Sequence, residues 1–501
     1  MTHATKRFLE ILPGTLVWTT LILSVLFSFV RPLWMVYFVM VFDLYWLFRI
    51  VYNLPFLVIS WARYRSALRR NWQKDAEALP GYADVHHLIF LPMSKEDEIV
   101  AMDTLEILSR STYPASRMMI VLAGEARCGV ERFEQIAKTA EERFGSRFFR
   151  FFWTIHPADQ VGDIIGKGSN LHWAAEHVVP RVLALGLDPK NVIVSSFDID
   201  TIVHPQYFSC LTYKYLTEPD PTRTSYQPVP LYNNNLWQSP APVRVSMFGT
   251  TFWLMMEQAH PEGMMTFSSH SMSLQMLLDV GYWQRDVVSE DSRIFLQGFI
   301  HYDGAYRVTP IHLPVSMDTV MAGDYWKALI ALYKQQRRWA WGVENFPYMV
   351  EQFAAHPKMS LWTKIAWIFK QLEGSYTWAT AAFLIFLLGH LPFLVAPEQF
   401  RSFAIFQNTP FTLEWLMRFS MVGLFVSATL ALTLLPPRPR ELRHVNAYGI
   451  MLLQWILLPV TFIVFGAIPA LDAQTRLMFG KRLGFFVSPK RNTSVSSPPT
   501  P

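Results

Sequence analysis

The stretch Val192-Ile193-Val194-Ser195-Ser196-Phe197 runs directly into Asp198-Ile199-Asp200. A short apolar run rich in β-branched residues reads as a strand, so the two carboxylates fall where strand gives way to loop. Hard oxygen donors of this kind suit a divalent cation that also grips a diphosphate, as magnesium does through one or two carboxylates plus phosphate oxygens. Alone the signal is weak. With 18 aspartates, a chain of 501 residues holds roughly one Asp-x-Asp by chance, and a solvated strand end explains it equally well.

Working outward, His87-Leu88-Ile89-Phe90-Leu91 and Met118-Met119-Ile120-Val121-Leu122 are further strand-like runs, alternating with helical patterns over residues 99–109 and 168–179. That order predicts βαβ units around a mostly parallel sheet, an α/β fold. Ligands of such sheets bind beyond the carboxyl ends of the strands, which singles out Ser94-Lys95-Glu96, Gly124-Glu125 and the Asp198 pair. Gly166-Lys167-Gly168-Ser169-Asn170 precedes a helical run, so a lysine and backbone N–H groups can meet phosphate near a helix start. Glu290-Asp291 stands ahead of Ile294-Phe295-Leu296, where a carboxylate serves either as a general base or as a favourable helix N-terminal charge. Gln335, Arg338 and Trp339 are spaced i, i+3, i+4 and share one helical face. An arginine there can clamp phosphates while an indole offers a flat surface to a sugar or lipid.

Composition narrows the class. Hydrophobic residues make up 51% and charged residues 17%, against about 25% charged in soluble domains, and mean hydropathy is +0.18. That excludes a disordered chain and argues against a purely soluble enzyme. Length suggests roughly three domain-sized blocks. The formal charge of +5 is too small an excess to argue for nucleic acid. Two cysteines, Cys128 and Cys210, cannot build a disulfide framework and read as reduced and structural.

Residues 11–30 carry no charge and are long enough to cross about 30 Å of hydrocarbon. A second apolar stretch, 33–61, follows a turn at Arg31-Pro32, interrupted by Asp43, read as facing the bundle, and Arg49, read as snorkelling or pairing. Charge-free stretches recur at 374–397, 419–437 and 445–471. Arg63, Arg65, Arg69, Arg70 and Lys74 crowd after the second stretch and place that side in the cytoplasm, together with Arg438, Arg440 and Arg443. Five spans put Arg476, Lys481, Arg482, Lys490 and Arg491 outside, against the charge rule, so the last stretch, with Pro459 and Pro469, is a candidate for a re-entrant or interfacial segment. The resulting plan is a helical hairpin at 1–61, a cytosolic domain at 62–323, interfacial amphipathic helices at 324–373, membrane helices at 374–471 and a basic tail at 472–501 whose end, 492–501, is disordered.

Taken together, Asp198-Ile199-Asp200, Ser289-Glu290-Asp291 and Gln335-Gln336-Arg337-Arg338-Trp339 resemble, in order, the Asp-x-Asp, (Thr/Ser)-Glu-Asp and Gln-x-x-Arg-Trp motifs of membrane-embedded family-2 glycosyltransferases. These are inverting enzymes with a GT-A fold, among them cellulose and hyaluronan synthases. Lys167 to Asn170 looks like the lysine-containing stretch such enzymes place before the Asp-x-Asp. The likeness covers about residues 85 to 345. The pattern departs at Pro92-Met93-Ser94-Lys95-Glu96, which keeps only the proline and glutamate of Pro-x-Tyr-Asn-Glu. It departs again at Gly124-Glu125, where aspartates are customary, and at Ser268-Ser269-His270-Ser271-Met272, where an acceptor-side arginine pair is usual.

The resemblance implies a nucleotide-sugar donor, most simply UDP-linked, on a magnesium or manganese ion. It implies Asp200 as main metal ligand, Asp198 on metal or ribose, Glu96 and Glu125 at the nucleoside, and Lys167, Gln335 and Arg338 at the diphosphate. Asp291 is then the base, with Trp339, Glu290 and His270 toward the acceptor. A glycan or lipid acceptor at a bacterial-type inner membrane follows, with a homo-oligomer or accessory subunit possible and no role for nucleic acid. Processive polysaccharide synthesis and single addition to a lipid or polyprenyl phosphate both remain open. A transporter or receptor that only binds a nucleotide or sugar is the reading from another class.

Overall fold

The computed structural model describes residues 2–439 and 446–484; Arg440, Arg443, Lys490, Arg491 and the stretch 492–501 lie outside them. The eight strands are β1 (His86–Pro92), β2 (Met118–Glu125), β3 (Arg150–His156), β4 (Val192–Ser196), β5 (Ile202–Val203), β6 (Thr224–Leu231), β7 (His270–Ser273) and β8 (Arg307–Ser316). They form one mixed sheet in the order β3-β2-β1-β4-β7-β6-β8-β5. Pairing is parallel from β3 through β4 and again between β6 and β8, while β7 runs antiparallel to both its neighbours.

Side-chain alternation sorts these strands into two cores, because successive residues of a strand point to opposite faces. Ile89, Leu91, Ile120 and Leu122 pack on one side with Leu105, Leu108, Ile136 and Phe208. Leu88, Phe90, Met119 and Val121 pack on the other. There the helix Lys167–Leu183 lays Leu171, Ala174, Ala175, Val178, Val179 and Val182 against the sheet, a stripe at helical spacing. With both faces covered, the strands read as continuous apolar runs.

Strand direction then decides where loops gather. Because β4, β6 and β8 run the same way and β7 runs against them, the carboxyl ends of β1, β2, β4, β6 and β8 meet the amino end of β7 at one edge of the sheet. The strand order reverses between β1 and β4, a switch point at which such sheets open a crevice.

Among the described residues five helices are long and apolar enough to cross a membrane: His3–Val30, Pro32–Ala67, Leu361–Val395, Ala404–Thr433 and Ala447–Met478. Trp34, Val41 and Phe425 stand 70%, 68% and 78% exposed on them, as side chains facing hydrocarbon would be. Several helices run further than the apolar stretches do. Pro32–Ala67 carries Arg63 and Arg65 on the same continuous helix. The third begins at Leu361, before residue 374, because its charges find partners: Glu373 pairs with Arg49 and accepts from Tyr45 (2.7 Å), and Lys370 reaches Glu257 (2.9 Å). Arg49 is thus paired, and Asp43 is partly buried with one oxygen lacking a hydrogen-bond partner. The last helix is continuous through Pro459 and Pro469, with short 3₁₀ and π segments taking up the missing N–H groups. Arg7 donates to the carbonyls of Leu477 and Met478 at its end.

Gly124 sits at the close of β2, where a Cβ would lie 2.5 Å from the Phe133 ring. Gly124→Ala is expected to destabilise the protein by about 1–3 kcal/mol through overpacking, read as a lowered unfolding midpoint of the detergent-solubilised chain.

Candidate active site

The carboxyl edge of the sheet opens into one cleft of about 1120 Å³ of atom-free space, counting the part open to solvent. The loop after β1 supplies Glu96, the end of β2 Glu125, and the turn after β4 both Asp198 and Asp200. The helix Glu290–His301 brings Glu290 and Asp291 at its first turn, and Lys167 enters from the start of its own helix. Gln335, Arg338 and Trp339 close the cleft from the helix Tyr325–Ala340.

Charge compensation orders the centre. Lys167 Nζ donates to Asp198 Oδ1 at 2.7 Å and lies 3.8 Å from Glu290 Oε1. Burial alone would push this ammonium down, but attraction to Asp198 and then Glu290 outweighs it and holds the pKa above the ordinary lysine value. Ser268 Oγ donates to Asp198 Oδ2 (3.1 Å), and the Asp318 backbone N–H donates to Asp200 Oδ2 (3.2 Å). Gly168 makes this packing possible, since a Cβ there would come within 2.8 Å of the Gln284 carbonyl and 3.0 Å of Glu290 Cβ.

Both adjacent acids are held above the ordinary carboxylate range. Glu290 is only 4% exposed, and burial, with repulsion from Asp291, pushes it up to about 8. Asp291 is also raised by burial, against the pull of Lys167, a Ser292 backbone N–H (2.8 Å) and Arg338. The two therefore titrate as a coupled pair.

The clamp helix is fixed from its other sides. Arg337 pairs with Asp472 (2.8 Å), which also accepts from Tyr333 (3.0 Å), and Gln336 donates to Ser246 (3.1 Å). That leaves Gln335, Arg338 and Trp339 toward the cleft, with Trp339 5.9 Å from the Tyr232 ring. Trp326 and Ile330, 72% and 56% exposed, stand outside beside exposed Lys327 and Lys334, whereas Leu329 and Tyr333 pack inward.

Of the residues to which the resemblance assigns a site role, all but His270 line this cleft. His270 lies in β7, fully buried, its Nδ1–H donating to the Phe267 carbonyl (2.9 Å) and its pKa pushed down to about 3 by burial and by Lys167. It stands behind Asp198 and Lys167, so contact with an acceptor in the cleft is not geometrically open to it. Glu125 is backed by His156, whose Nδ1 lies 3.4 Å from it while Nε2 meets Asp163 at 2.8 Å. Desolvation opposes charge on that imidazole, yet the two carboxylates raise its pKa above the ordinary value.

Tyr232 and Asp318 also line the cleft and escaped the sequence reading, and so does Ser268, which the sequence marked only as part of the stretch standing where an arginine pair is usual. They flank β6, β7 and β8, and Pro228, Pro230, Pro310 and Pro314 in β6 and β8 speak against strand in the sequence. The pairing tolerates them with a register shift between Pro228 and Val229. Ser269 holds φ = 67° while buried, a left-handed backbone that turns Ser268 onto Asp198.

A divalent ion fits the donor set at Asp198 and Asp200, hard carboxylates two residues apart in one cleft. Among the described residues no group of three or more His, Cys, Asp or Glu is arranged around a metal position, so an ion here would complete its shell with phosphate oxygens and water.

The sequence matches no protein-family model and no curated protein. Among solved structures it is similar to a mannosyltransferase from Pyrobaculum calidifontis in complex with GDP-Man and Mn2+, at 13% identity, 84% of this chain, 99% of that chain and a TM-score of 0.40. It is also similar to S. aureus TarS, at 9% identity over 69% of this chain and 90% of that one, TM-score 0.31. A third is glucosyl-3-phosphoglycerate synthase from Mycobacterium tuberculosis in complex with Mg2+ and UDP, at 15% identity over 52% and 80% of the two chains, TM-score 0.31. At such scores the likeness is partial, and the site rests on this chain's own residues.

Proposed function

We propose that the chain is an inverting glycosyltransferase moving a sugar from a nucleotide-sugar, UDP-linked in the simplest case, to a membrane-associated glycan or lipid acceptor. The observation that carries this reading is the convergence, in one cleft, of Asp198, Asp200, Asp291, Lys167, Arg338 and Trp339 from distant parts of the chain. The basic segment after the second helix favours a cytoplasmic catalytic domain.

In this reading the nucleoside lies toward Glu96 and Glu125, and the diphosphate between Asp198, Asp200 and Arg338. A magnesium or manganese ion at Asp198 and Asp200 would neutralise phosphate charge. Arg338 and Lys167 meet the negative charge that grows on the leaving diphosphate, a role suited to preorganised cations in a partly desolvated cleft. The acceptor hydroxyl, presented beside Trp339, attacks the anomeric carbon opposite the diphosphate. The new C–O bond forms as the bond to phosphate breaks, its electron pair leaves on the diphosphate, and Asp291 takes the hydroxyl proton. Configuration at the anomeric carbon is inverted.

The test is sugar transfer and donor hydrolysis from a panel of radiolabelled nucleotide-sugars by purified protein. Asp291→Asn is expected to lower transfer about 10²–10⁴-fold with the fold intact. Unimpaired transfer by that variant would rule out the assignment. Arg338→Ala is expected to cost about 10²–10³-fold in kcat. Because Asp291 must be ionised to accept a proton and its pKa is raised, kcat/KM should rise with pH through an acid limb above the ordinary aspartate value of about 3.9. An acid limb at or below that value would contradict the assignment.

A further inference from the structure

We propose that Glu344 is a positioning residue for Asp291, tying the turn that bears the base to the helix that bears Arg338 and Trp339; this rests on the glycosyl-transfer reading above. Glu344 does not line the cleft. Its Oε1 accepts from the Val288 N–H (3.0 Å), the Ser289 N–H (3.0 Å) and the Ser289 hydroxyl (2.8 Å), and its Oε2 from Trp341 Nε1–H (2.8 Å). Three donors converge on one oxygen and a fourth on the other, and charge-assisted bonds of this kind are roughly twice as strong as neutral ones.

The neighbouring residue grips the same turn from beyond Asp291. Asn345 Oδ1 accepts from Arg293 Nε (2.7 Å), and its Nδ2 donates to Ser292 Oγ (2.9 Å). Residues 344 and 345 thus hold positions 288–289 and 292–293, leaving Glu290 and Asp291 between two fixed points. The anchor itself is rigid. Trp341 and Val288 are buried together with Val17, Ala379, Ala470 and Ala473, side chains of three membrane-spanning helices. The base is therefore registered against the membrane helices and the diphosphate clamp through one carboxylate, and a displacement of about 1 Å at such a position can cost about 10² in rate.

Steady-state kinetics of the full-length protein, normalised to folded enzyme, test this with Glu344→Ala, Glu344→Gln and Trp341→Phe beside Asp291→Asn. Glu344→Ala is expected to lower kcat about 10–100-fold while donor KM stays within about twofold, and to move the acid limb of the pH profile that reports Asp291. Glu344→Gln, which keeps an acceptor for positions 288 and 289, should recover much of kcat; Trp341→Phe, which removes the Oε2 bond and some buried volume but leaves the three Oε1 bonds, should lose less than Glu344→Ala. Should Glu344→Ala not fold, the Gln and Phe variants carry the same comparison. Unchanged kcat and acid limb in the Glu344 variants, with Asp291→Asn inactive, would overturn this proposal alone. Full transfer by Asp291→Asn would overturn the reading beneath it.

Discussion

Three carboxylates crowd the centre of this protein, and the lysine between them is what allows them to coexist. Asp198 and Glu290 approach Lys167 Nζ from two sides, at 2.7 and 3.8 Å, where water is largely excluded and uncompensated charge is expensive. Remove that ammonium and Asp198, Glu290 and Asp291 repel one another across a cleft of low dielectric. With it in place, the charged forms of Glu290 and Asp291 are favoured against the burial that raises both.

The membrane helices do more than hold the domain at a bilayer. Asp472, on the last of them, fixes the clamp helix through Arg337 and Tyr333. Val17, Ala379 and Ala470 share one buried cluster with Val288 and Trp341, next to the residues that carry Asp291 and Arg338. Two walls of the site are therefore referenced to the membrane block, while the other walls are referenced to the sheet. Hinging between the blocks would change the distance from Arg338 to Asp200, so the packing at these two places sets the shape of the cleft as directly as the lining residues do.

Much of the site was legible because its chemistry is carried by short local patterns. Asp198-Ile199-Asp200 after an apolar run, Lys167 at a helix start and the i, i+3, i+4 face of Gln335, Arg338 and Trp339 all follow from strand and helix geometry and lie where that geometry puts them. Tyr232 and Asp318 were not legible, because prolines disguise β6 and β8 and a strand's direction in a mixed sheet has no local signature. His270 shows the converse. A polar residue in a promising loop proved to belong to a strand interior, since pairing of β7 with β4 buries it. The apolar spans were visible, but their ends were not, because Glu373 and Lys370 find partners in other elements and so extend a helix past its charge-free part.

By itself the sequence determined which chemistry was on offer: alternating strands and helices with acids at strand ends, a basic and aromatic helix, and five apolar stretches, all read from periodicities that depend only on backbone geometry. Which of those groups share a cleft and which carboxylates burial holds above their ordinary pKa were decided by the tertiary structure alone. Distances between residues far apart in the chain, and the dielectric around them, exist only once the chain has folded.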